Sequence, residues 1–218
     1  MERALIIGAS GGIGGALAAE LEARGVEVVR LSRSKDGFDV TEPAAVARGL
    51  EGVAGPFDLV LVAVGILAGA GGPEKALAQI EAEAMARVMA VNAIGPALVL
   101  KHLPPLLAEG AKIGVLSARV GSIGDNRIGG WHSYRASKAA LNQIVRGAAI
   151  ELARTHKRSV CVALHPGTVE TPFTADYAGR HRTVPAEEAA ANLLAVMQRL
   201  GPEDSGGFFD YAGERIDW

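Results

Sequence analysis

Cysteine is almost absent from this chain, and neither sign of charge is in excess. The 218 residues include one cysteine, Cys161, so no disulfide can form within one copy of the chain. Cys161 lies in the apolar run SVCVAL, where a small buried core residue is expected. The net charge is −2 and no block of like charges occurs, so neither nucleic acid nor a membrane surface is expected as a partner.

Long apolar runs and metal-ligand spacings are missing as well. No stretch is apolar over the roughly 20 residues that a bilayer requires, so no membrane span is expected. Glycines at positions 8, 11, 12, 14 and 15 interrupt the N-terminal apolar stretch, unlike the centre of a signal peptide, and we expect a cytoplasmic protein. The five histidines show no spacing such as H-E-x-x-H, so no metal is expected.

The sequence does contain a regular alternation of short apolar runs and helical patterns. The apolar runs predict strands at 4–8, 26–31, 38–40, 57–65, 111–117, 159–165 and 207–213. Helical periodicity lies between them, from Ile13 to the stop at Gly25, over 77–91, over 133–155, and from Pro185 until just before Gly201. Such alternation favours right-handed crossovers, and therefore one doubly wound α/β domain over residues 1–218, with a parallel seven-stranded sheet and helices on both faces.

A glycine-rich turn, IIGASGGIGGAL, joins the first predicted strand to the first predicted helix. Backbone N–H groups at a helix N-terminus bind phosphate, and glycines let the phosphate approach closely. The turn departs from the fingerprint G-x-G-x-x-G, because Leu17 stands three residues after Gly14, and its own pattern is Gly8, Gly12 and Gly14. Its place after the first strand favours a cofactor phosphate over a merely tight connection.

The end of the second predicted strand, RLSRS, bears on the choice between NAD and NADP. A ribose 2′-hydroxyl favours a carboxylate here, whereas a 2′-phosphate favours an arginine without a carboxylate. Ser32 stands where that carboxylate would be, and the guanidinium of Arg33 can bind phosphate oxygens in a fork. The sequence predicts NADP(H) over NAD(H). The alternative is that Arg33 is only a solvated loop residue and binds no phosphate. The charges of the nearby Lys35 and Asp36 have opposite effects on the preference for NADP(H).

The stretch WHSYRASKAAL places Tyr134 four residues before Lys138 in a predicted helix. Residues i and i+4 lie on one helix face, so both side chains can reach one site. A tyrosine can give a proton to a carbonyl oxygen or remove one from an alcohol, and a nearby ammonium lowers its pKa from about 10. The pair alone is also common on helix surfaces.

Together with the glycine turn, the segments VNAIG, SYRASK and HPGTVETP resemble the short-chain dehydrogenase/reductase family along essentially the whole chain. Within the family, the stretch SARVGSIGDNRIGGWHSYRASKAALN and the final GERIDW are most similar to the branch that contains C-factor and the sniffer carbonyl reductase. The resemblance implies a single-domain Rossmann fold and an NADP(H)-dependent oxidoreductase that interconverts a carbonyl and an alcohol. It also implies a homodimer or homotetramer, and the apolar stripes of the 76–91 and 133–155 helices favour such pairing.

The resemblance implies roles for single residues. It gives Tyr134 as general acid and base, Lys138 on the cofactor ribose and Asn92 holding a water. Ser122, close to the position of the family's serine, completes the expected catalytic set as a replacement. Asp39 of the run FDV would lie near the adenine ring. The implied cofactor-binding residues are Gly8, Ser10, Gly12, Ile13, Gly14, Arg33, Asp39, Val40, Gly65, Asn92, Tyr134, Lys138, Pro166, Gly167, Val169 and Thr171.

Two departures from the family pattern affect the expected site. The usual asparagines after the fourth strand are absent from VAVG, where only Gly65 is kept, and the second serine after the fifth strand is Ala118. These losses favour an alternative function, a dinucleotide-binding sensor or signalling protein with little turnover. The intact tyrosine, lysine and asparagine favour an enzyme, and an isomerase or dehydratase is a third possibility.

Several side chains are candidates to replace the lost serine. Ser122 can donate to the carbonyl, or its hydroxyl can cap the loop instead. Ser117 is the second candidate, although strand alternation should turn it away. Without a serine, Tyr134 would act with Trp131 or Asn126.

The segment before Tyr134 is expected to form a wall of the substrate pocket. A lid is expected between Glu170 and about His181. The candidates for this wall are Arg119, Arg127, Trp131 and His132. For Arg127 and His132, the competing interpretation is that they are exposed loop residues without a role in the pocket.

Overall fold

The computed structural model describes residues 1–69, 71–171 and 183–218. Most of the expected lid lies outside the described residues. The description of the sheet, the helices and the candidate site below concerns the described ranges alone.

Six parallel strands form one sheet in these ranges, in the order β2-β1-β3-β4-β5-β6. The strands are β1 (Arg3–Ile7), β2 (Glu27–Leu31), β3 (Phe57–Val62), β4 (Leu107–Leu116), β5 (Val160–His165) and β6 (Phe208–Asp210). Ile7 pairs with Leu31 on one side and with Val62 on the other, so the strand order reverses at β1. In open parallel sheets, ligands bind beyond the carboxyl ends of the strands at this reversal.

Helices cover both faces of the sheet. They are α1 (Gly12–Ala23), α2 (Arg33–Asp36), α3 (Pro43–Glu51), α4 (Ala82–Met89), α5 (Gly95–His102), α6 (His132–Thr155) and α7 (Ala186–Arg199). Leu17 and Leu193 represent α1 and α7 in the core of one face, whereas Val46, Val99 and Leu141 represent α3, α5 and α6 in the core of the other. The predicted doubly wound α/β fold is confirmed.

The strands are apolar on both sides because both sides are covered. Leu5 and Ile7 belong to one core, and Ala4 and Ile6 belong to the other, as the period of two along a strand requires. All four side chains are fully buried. Continuous apolar runs, rather than alternating ones, are typical of strands in such sheets.

The predicted strand at 38–40 does not form, so the expected seven-stranded sheet has six strands in the described ranges. Phe38 and Val40 are buried, which gave the segment its strand-like pattern. The Asp39 carboxylate accepts hydrogen bonds from the backbone N–H (2.9 Å) and hydroxyl (2.7 Å) of Thr41. This local turn takes the place of pairing with a neighbouring strand.

One π-helical turn, Ala90–Ile94, joins α4 to α5. The resulting stretch, Ala82–His102, is long and apolar enough to cross a membrane by length and composition, so the expectation that no such segment exists was wrong. In the most apolar window of the stretch, 44% of the residues are buried inside the protein, and buried core helices pass the same test. The predicted helix at 77–91 begins later than expected, because Leu77 is 72% exposed and precedes it.

Candidate active site

The glycine turn lies between the carboxyl end of β1 and the start of α1. Gly8 has a φ of 88°, and a Cβ there would collide with the carbonyl of Ala63. A Cβ at Gly14 would collide with the carbonyl of Gly8. These two glycines therefore allow the close packing of backbone that brings α1 against the end of the sheet.

The N-terminus of α1 fits a phosphate group. Gly11 is the cap residue of the helix, and it has no side chain that could accept from the first backbone N–H groups. Ser10 and Gly12 are exposed, and Ile13 and Gly14 follow in the first turn. A Cβ at Gly12 would lie 2.6 Å from Cγ2 of Thr171, so any side chain there would fill the gap between the turn and the segment after β5.

The segment after β5 is held in place on both sides of its glycine. Gly167 follows Pro166 with a φ of 81°, and a Cβ there would lie 3.0 Å from the ring of Tyr211. Val169 is buried and pairs with Val184. The chain is therefore fixed where it leads to Thr171, opposite the glycine turn.

The end of β2 carries a carboxylate that the sequence position alone did not show. Ser32 is buried, and its backbone N–H and hydroxyl both donate to Oδ2 of Asp36, at 2.8 and 2.9 Å. Arg33 is exposed, and its guanidinium forms no hydrogen bond or ion pair with another described residue. The strand end thus presents an available cation and, one helical turn later, an anion that folds back to the serine.

Asp39 and Val40 lie next along the chain. The hydroxyl and then the backbone N–H of Thr41 lower the pKa of the Asp39 carboxyl, which stays ionised at neutral pH. Val40 packs so closely on the first residue of α5 that a Cβ at Gly95 would lie 2.7 Å from its Cγ2. This contact places residues 39–40 beside the helix that follows Asn92.

Gly65, Asn92 and Lys138 meet beyond the carboxyl end of β3. A Cβ at Gly65 would lie 3.4 Å from Oδ1 of Asn92 and 3.5 Å from Nζ of Lys138. Asn92 is fully buried in the π-helical turn, and such turns frequently occur at functional sites. Three elements distant in sequence therefore converge on one point.

Asn92 supplies hydrogen bonds that the missing asparagines do not. Its Oδ1 accepts from the backbone N–H of Ile66 at 2.8 Å, and its Nδ2 donates to the carbonyl of Ile66 at 2.8 Å. Nδ2 also donates to the hydroxyl of Ser137 at 3.0 Å. The asparagine thus ties the loop after β3 to α6.

Tyr134 and Lys138 lie on one face of α6, as predicted. Nζ of Lys138 is 5.9 Å from the centre of the Tyr134 ring and donates to the carbonyl of Leu116 at 2.9 Å. Burial lowers the pKa of Lys138 to about 7. Burial also raises the pKa of Tyr134, whereas the sequence predicted a lower value, because desolvation disfavours the charged phenolate.

The two serines after β4 have different surroundings. The Ser117 hydroxyl donates to Oδ1 of Asn142 at 2.6 Å, within the packing against α6. Ser122 is buried, and its oxygen accepts from the backbone N–H of Asp125 at 3.1 Å, so it caps the loop. A Cβ at Gly121 would lie 2.8 Å from Cβ of Lys138, so the residue before Ser122 packs directly on the turn of α6 that carries the lysine.

Of the residues expected to form the pocket wall, only Trp131 has a described contact with the Tyr134 ring. Trp131 lies with its ring edge-on to Tyr134, with 6.2 Å between the ring centres. Arg119 pairs with Asp210 at 2.9 Å, so its charge is largely engaged within the protein. Arg127 is exposed and His132 is half-buried.

The amide oxygen of Asn126 is engaged within its own loop. That oxygen accepts from the backbone N–H of Gly129 at 3.0 Å and so stabilises the loop. His165, at the end of β5, is a site-adjacent group that sequence reasoning missed. Burial, with a contribution from Arg119, lowers the pKa of His165 to about 4, so its imidazole is neutral at pH 7.

A pocket of about 280 Å³ opens between the loop after β3 and α4. Glu74 and Ser133 line it, whereas Tyr134, Lys138 and Asn92 are absent from its described lining. The pocket therefore lies beside the catalytic candidates rather than over them. No group of three or more histidine, cysteine or acidic side chains suited to a metal occurs in the described ranges.

Comparison with known proteins gives the family of the chain and solved structures of similar fold. The family model described as enoyl-(acyl carrier protein) reductase matches residues 37–207. A 1-hydroxy-2-glutathionyl-2-methyl-3-butene dehydrogenase of Rhodococcus sp. (strain AD45) is 33% identical over 100% of both chains. C-signal of Myxococcus xanthus is 38% identical over 75% of this chain and 94% of that protein. A carbonyl reductase from Pseudomonas aeruginosa PAO1 in complex with NADP has a TM-score of 0.82, with 27% identity and 100% coverage of both chains.

Proposed function

This chain belongs to the short-chain dehydrogenase/reductase family, and from that premise we propose that it is an NADP(H)-dependent oxidoreductase that interconverts an aldehyde or ketone and an alcohol. The observation that carries the proposal is the convergence of Gly65, Asn92 and Lys138 one helical turn from Tyr134. These residues lie beyond the carboxyl ends of the strands, at the same edge of the sheet as the glycine turn. The carbonyl reductase of similar structure that contains NADP supports the cofactor.

The proposed mechanism uses the protonated tyrosine. The reduced nicotinamide, when bound, supplies a hydride to the carbonyl carbon. Tyr134 then donates its phenolic proton to the carbonyl oxygen, which becomes the alcohol. Its raised pKa keeps the phenol protonated across the neutral range, so the proton that reduction of the carbonyl requires is available.

Lys138 and Asn92 hold the site in a productive arrangement. Lys138 would exchange its bond with the Leu116 carbonyl for the hydroxyls of the cofactor ribose. Asn92 fixes the loop after β3 through Ile66 and fixes α6 through Ser137. The relative positions of Gly65 and Lys138 therefore depend on this one buried amide.

Arg33 is proposed to bind the 2′-phosphate of NADP(H), since it is exposed and unpaired among the described residues. We expect Arg33→Ala to weaken NADPH binding by roughly 10- to 100-fold, the value of charge-assisted hydrogen bonds, with little effect on NADH. Asp36→Asn keeps an oxygen acceptor for Ser32 but removes a negative charge, so it should strengthen NADPH binding.

Titration of cofactor fluorescence with each variant measures both affinities. Lys35→Ala is the matched control, because Lys35 is an exposed cation in the same short helix. Equal loss of NADPH and NADH affinity in Arg33→Ala would contradict the proposed role of Arg33.

Ser122 is proposed to donate the second hydrogen bond to the substrate oxygen, since its own hydroxyl proton is not used by the bond from Asp125. We expect Ser122→Ala to lower turnover roughly 10²-fold, the scale of one lost oxyanion donor. Ser117→Ala should change turnover little, because that hydroxyl is directed to Asn142. A Ser122→Ala variant with a lower melting temperature but wild-type turnover would leave Ser122 with the loop-capping role alone.

A homodimer or homotetramer is proposed on the basis of exposed apolar side chains on the two long helical stretches. Ile94 is 53% exposed between α4 and α5, and Ile150 is 50% exposed on α6. Light scattering at micromolar concentration should give at least twice the 22.5 kDa mass of one chain. A mass of one chain would contradict the proposal.

A signalling protein with little turnover is the second candidate. The 38% identity to C-signal and the alanine at position 118 favour it. A screen of NADPH oxidation with aldehydes, ketones and diketones separates the two candidates. We expect steady oxidation with at least one of these classes, whereas tight NADPH binding without oxidation in any class would favour the second candidate.

A further inference from the structure

The segment that leads into α6 has an unusual backbone. Gly129, Gly130 and Trp131 all have a positive φ, of 68°, 64° and 51°. The left-handed conformation costs a residue such as tryptophan about 1–2 kcal/mol, so the surroundings must hold it. Trp131 is also the cap residue of α6, and its side chain makes no capping hydrogen bond.

Glu74, from the loop after β3, supplies the cap from a distance of 59 residues in sequence. Its carboxylate accepts from the backbone N–H of Ser133 at 3.2 Å and from the hydroxyl of the same serine. Its backbone carbonyl accepts from the N–H of Trp131. A Cβ at Gly130 would lie 3.4 Å from that carbonyl, so the loop rests directly on the left-handed segment.

The burial of Glu74 is exceptional for its surroundings. The other residues from 71 to 83 are exposed or, in the case of Pro73, half-buried, whereas Glu74 is only 9% exposed. Burial acts to raise its pKa, but the hydrogen bonds from Ser133 and from the backbone N–H of Glu74, with a contribution from His132, together lower the net pKa. An ionised carboxylate at a helix N-terminus also interacts favourably with the helix dipole.

We propose that Glu74 is a positioning residue for Tyr134, because its carboxylate and carbonyl fix the left-handed segment and the first turn of α6. Ser133 directly precedes Tyr134, so the bonds to Glu74 act within one residue of the phenol. Lys138 lies one turn further along α6 and has its own anchor at the Leu116 carbonyl. Loss of Glu74 should therefore displace the tyrosine while the lysine stays in place.

The test compares turnover with cofactor affinity, and in this respect it rests on the proposed function. Glu74→Ala and Ser133→Ala should each lower kcat roughly 10- to 100-fold, the cost of a small misplacement of a catalytic group, with NADPH affinity within about twofold of wild type. The double variant should be no worse than Glu74→Ala, because both changes break the same link. Glu74→Gln should recover part of kcat, since its amide oxygen can still accept one bond.

Glu83→Ala is the matched control, since Glu83 is an exposed carboxylate at the start of α4, and it should behave as wild type. Wild-type kcat in Glu74→Ala would overturn the proposal. A parallel loss of kcat and NADPH affinity in both Glu74→Ala and Ser133→Ala would also overturn it, because that result indicates general loosening of the fold.

Trp131 provides a second readout that does not depend on turnover. The chain has two tryptophans, so Trp218→Phe leaves Trp131 as the sole tryptophan fluorophore. In that background, Glu74→Ala should increase the quenching of Trp131 emission by acrylamide, and unchanged quenching would count against the proposal. If none of the carbonyl compounds tested supports NADPH oxidation by the wild-type protein, the proposed function fails. In that case the quenching result alone decides the role of Glu74.

Discussion

Replacing Tyr134 with phenylalanine should reduce turnover by roughly 10²–10⁴, the usual contribution of a positioned acid–base group. The substitution removes one hydroxyl and keeps the ring, which packs edge-on against Trp131. The fold and the affinity for NADPH should therefore be retained. This effect is large because the phenylalanine ring has no proton to donate to the carbonyl oxygen.

The loss in Tyr134→Phe is measured as kcat for a carbonyl substrate found in the screen, with NADPH affinity measured in parallel. Tyr211→Phe is the matched control, because Tyr211 is a half-exposed tyrosine that packs on Gly167 rather than on α6. Wild-type kcat in Tyr134→Phe would mean that Tyr134 only packs, and the proposed mechanism would be wrong.

Replacing Lys138 with methionine should abolish most turnover, weaken NADPH binding and yet stabilise the protein without cofactor. Lys138 is almost completely buried, and burial lowers its pKa from 10.5 to about 7. Between these two pH values the unfolded chain binds a proton that the folded chain does not. The free energy of unfolding should therefore rise with pH over this window, by up to about 1.4 kcal/mol per pH unit.

Methionine has no proton to bind, so the pH dependence that Lys138 contributes should disappear in Lys138→Met. The variant should exceed wild type in unfolding free energy by a few kcal/mol at pH 7, and the difference should shrink towards pH 9. The carbonyl of Leu116 loses its partner, which reduces the gain by about 1–3 kcal/mol. Urea unfolding of both proteins at pH 7, 8 and 9 measures this, and parallel pH dependences would contradict it.

Local patterns in the sequence predicted the parts of the site that depend on local geometry. The placement of Tyr134 and Lys138 on one face follows from the helical repeat, and the glycine turn follows from the junction of β1 and α1. The predicted strand at 38–40 failed for an equally local reason, because the hydrogen bonds of Asp39 to Thr41 form a turn. The apolar alternation of Phe38 and Val40 reports burial, and burial does not require a neighbouring strand.

Contacts between distant segments were beyond the reach of these patterns. Nothing near Glu74 in sequence indicates that its carboxylate reaches Ser133, 59 residues away. The return of Asp36 to Ser32 was closer to prediction, since the four-residue spacing of a helix turn allows it. The raised pKa of Tyr134 depends on how deeply this part of α6 is buried. The four-residue spacing between Tyr134 and Lys138 does not reveal that burial.

Transfer of a hydride from NADPH to a carbonyl carbon is the proposed reaction of this chain. The most direct test is a single turnover with NADPH that carries deuterium at the transferable position of C4, followed by mass spectrometry of the product. We expect one deuterium on the carbinol carbon of the alcohol, at a rate that Tyr134→Phe lowers strongly. Bound NADPH with no deuterium in any product, across aldehydes, ketones and diketones, would contradict the claim.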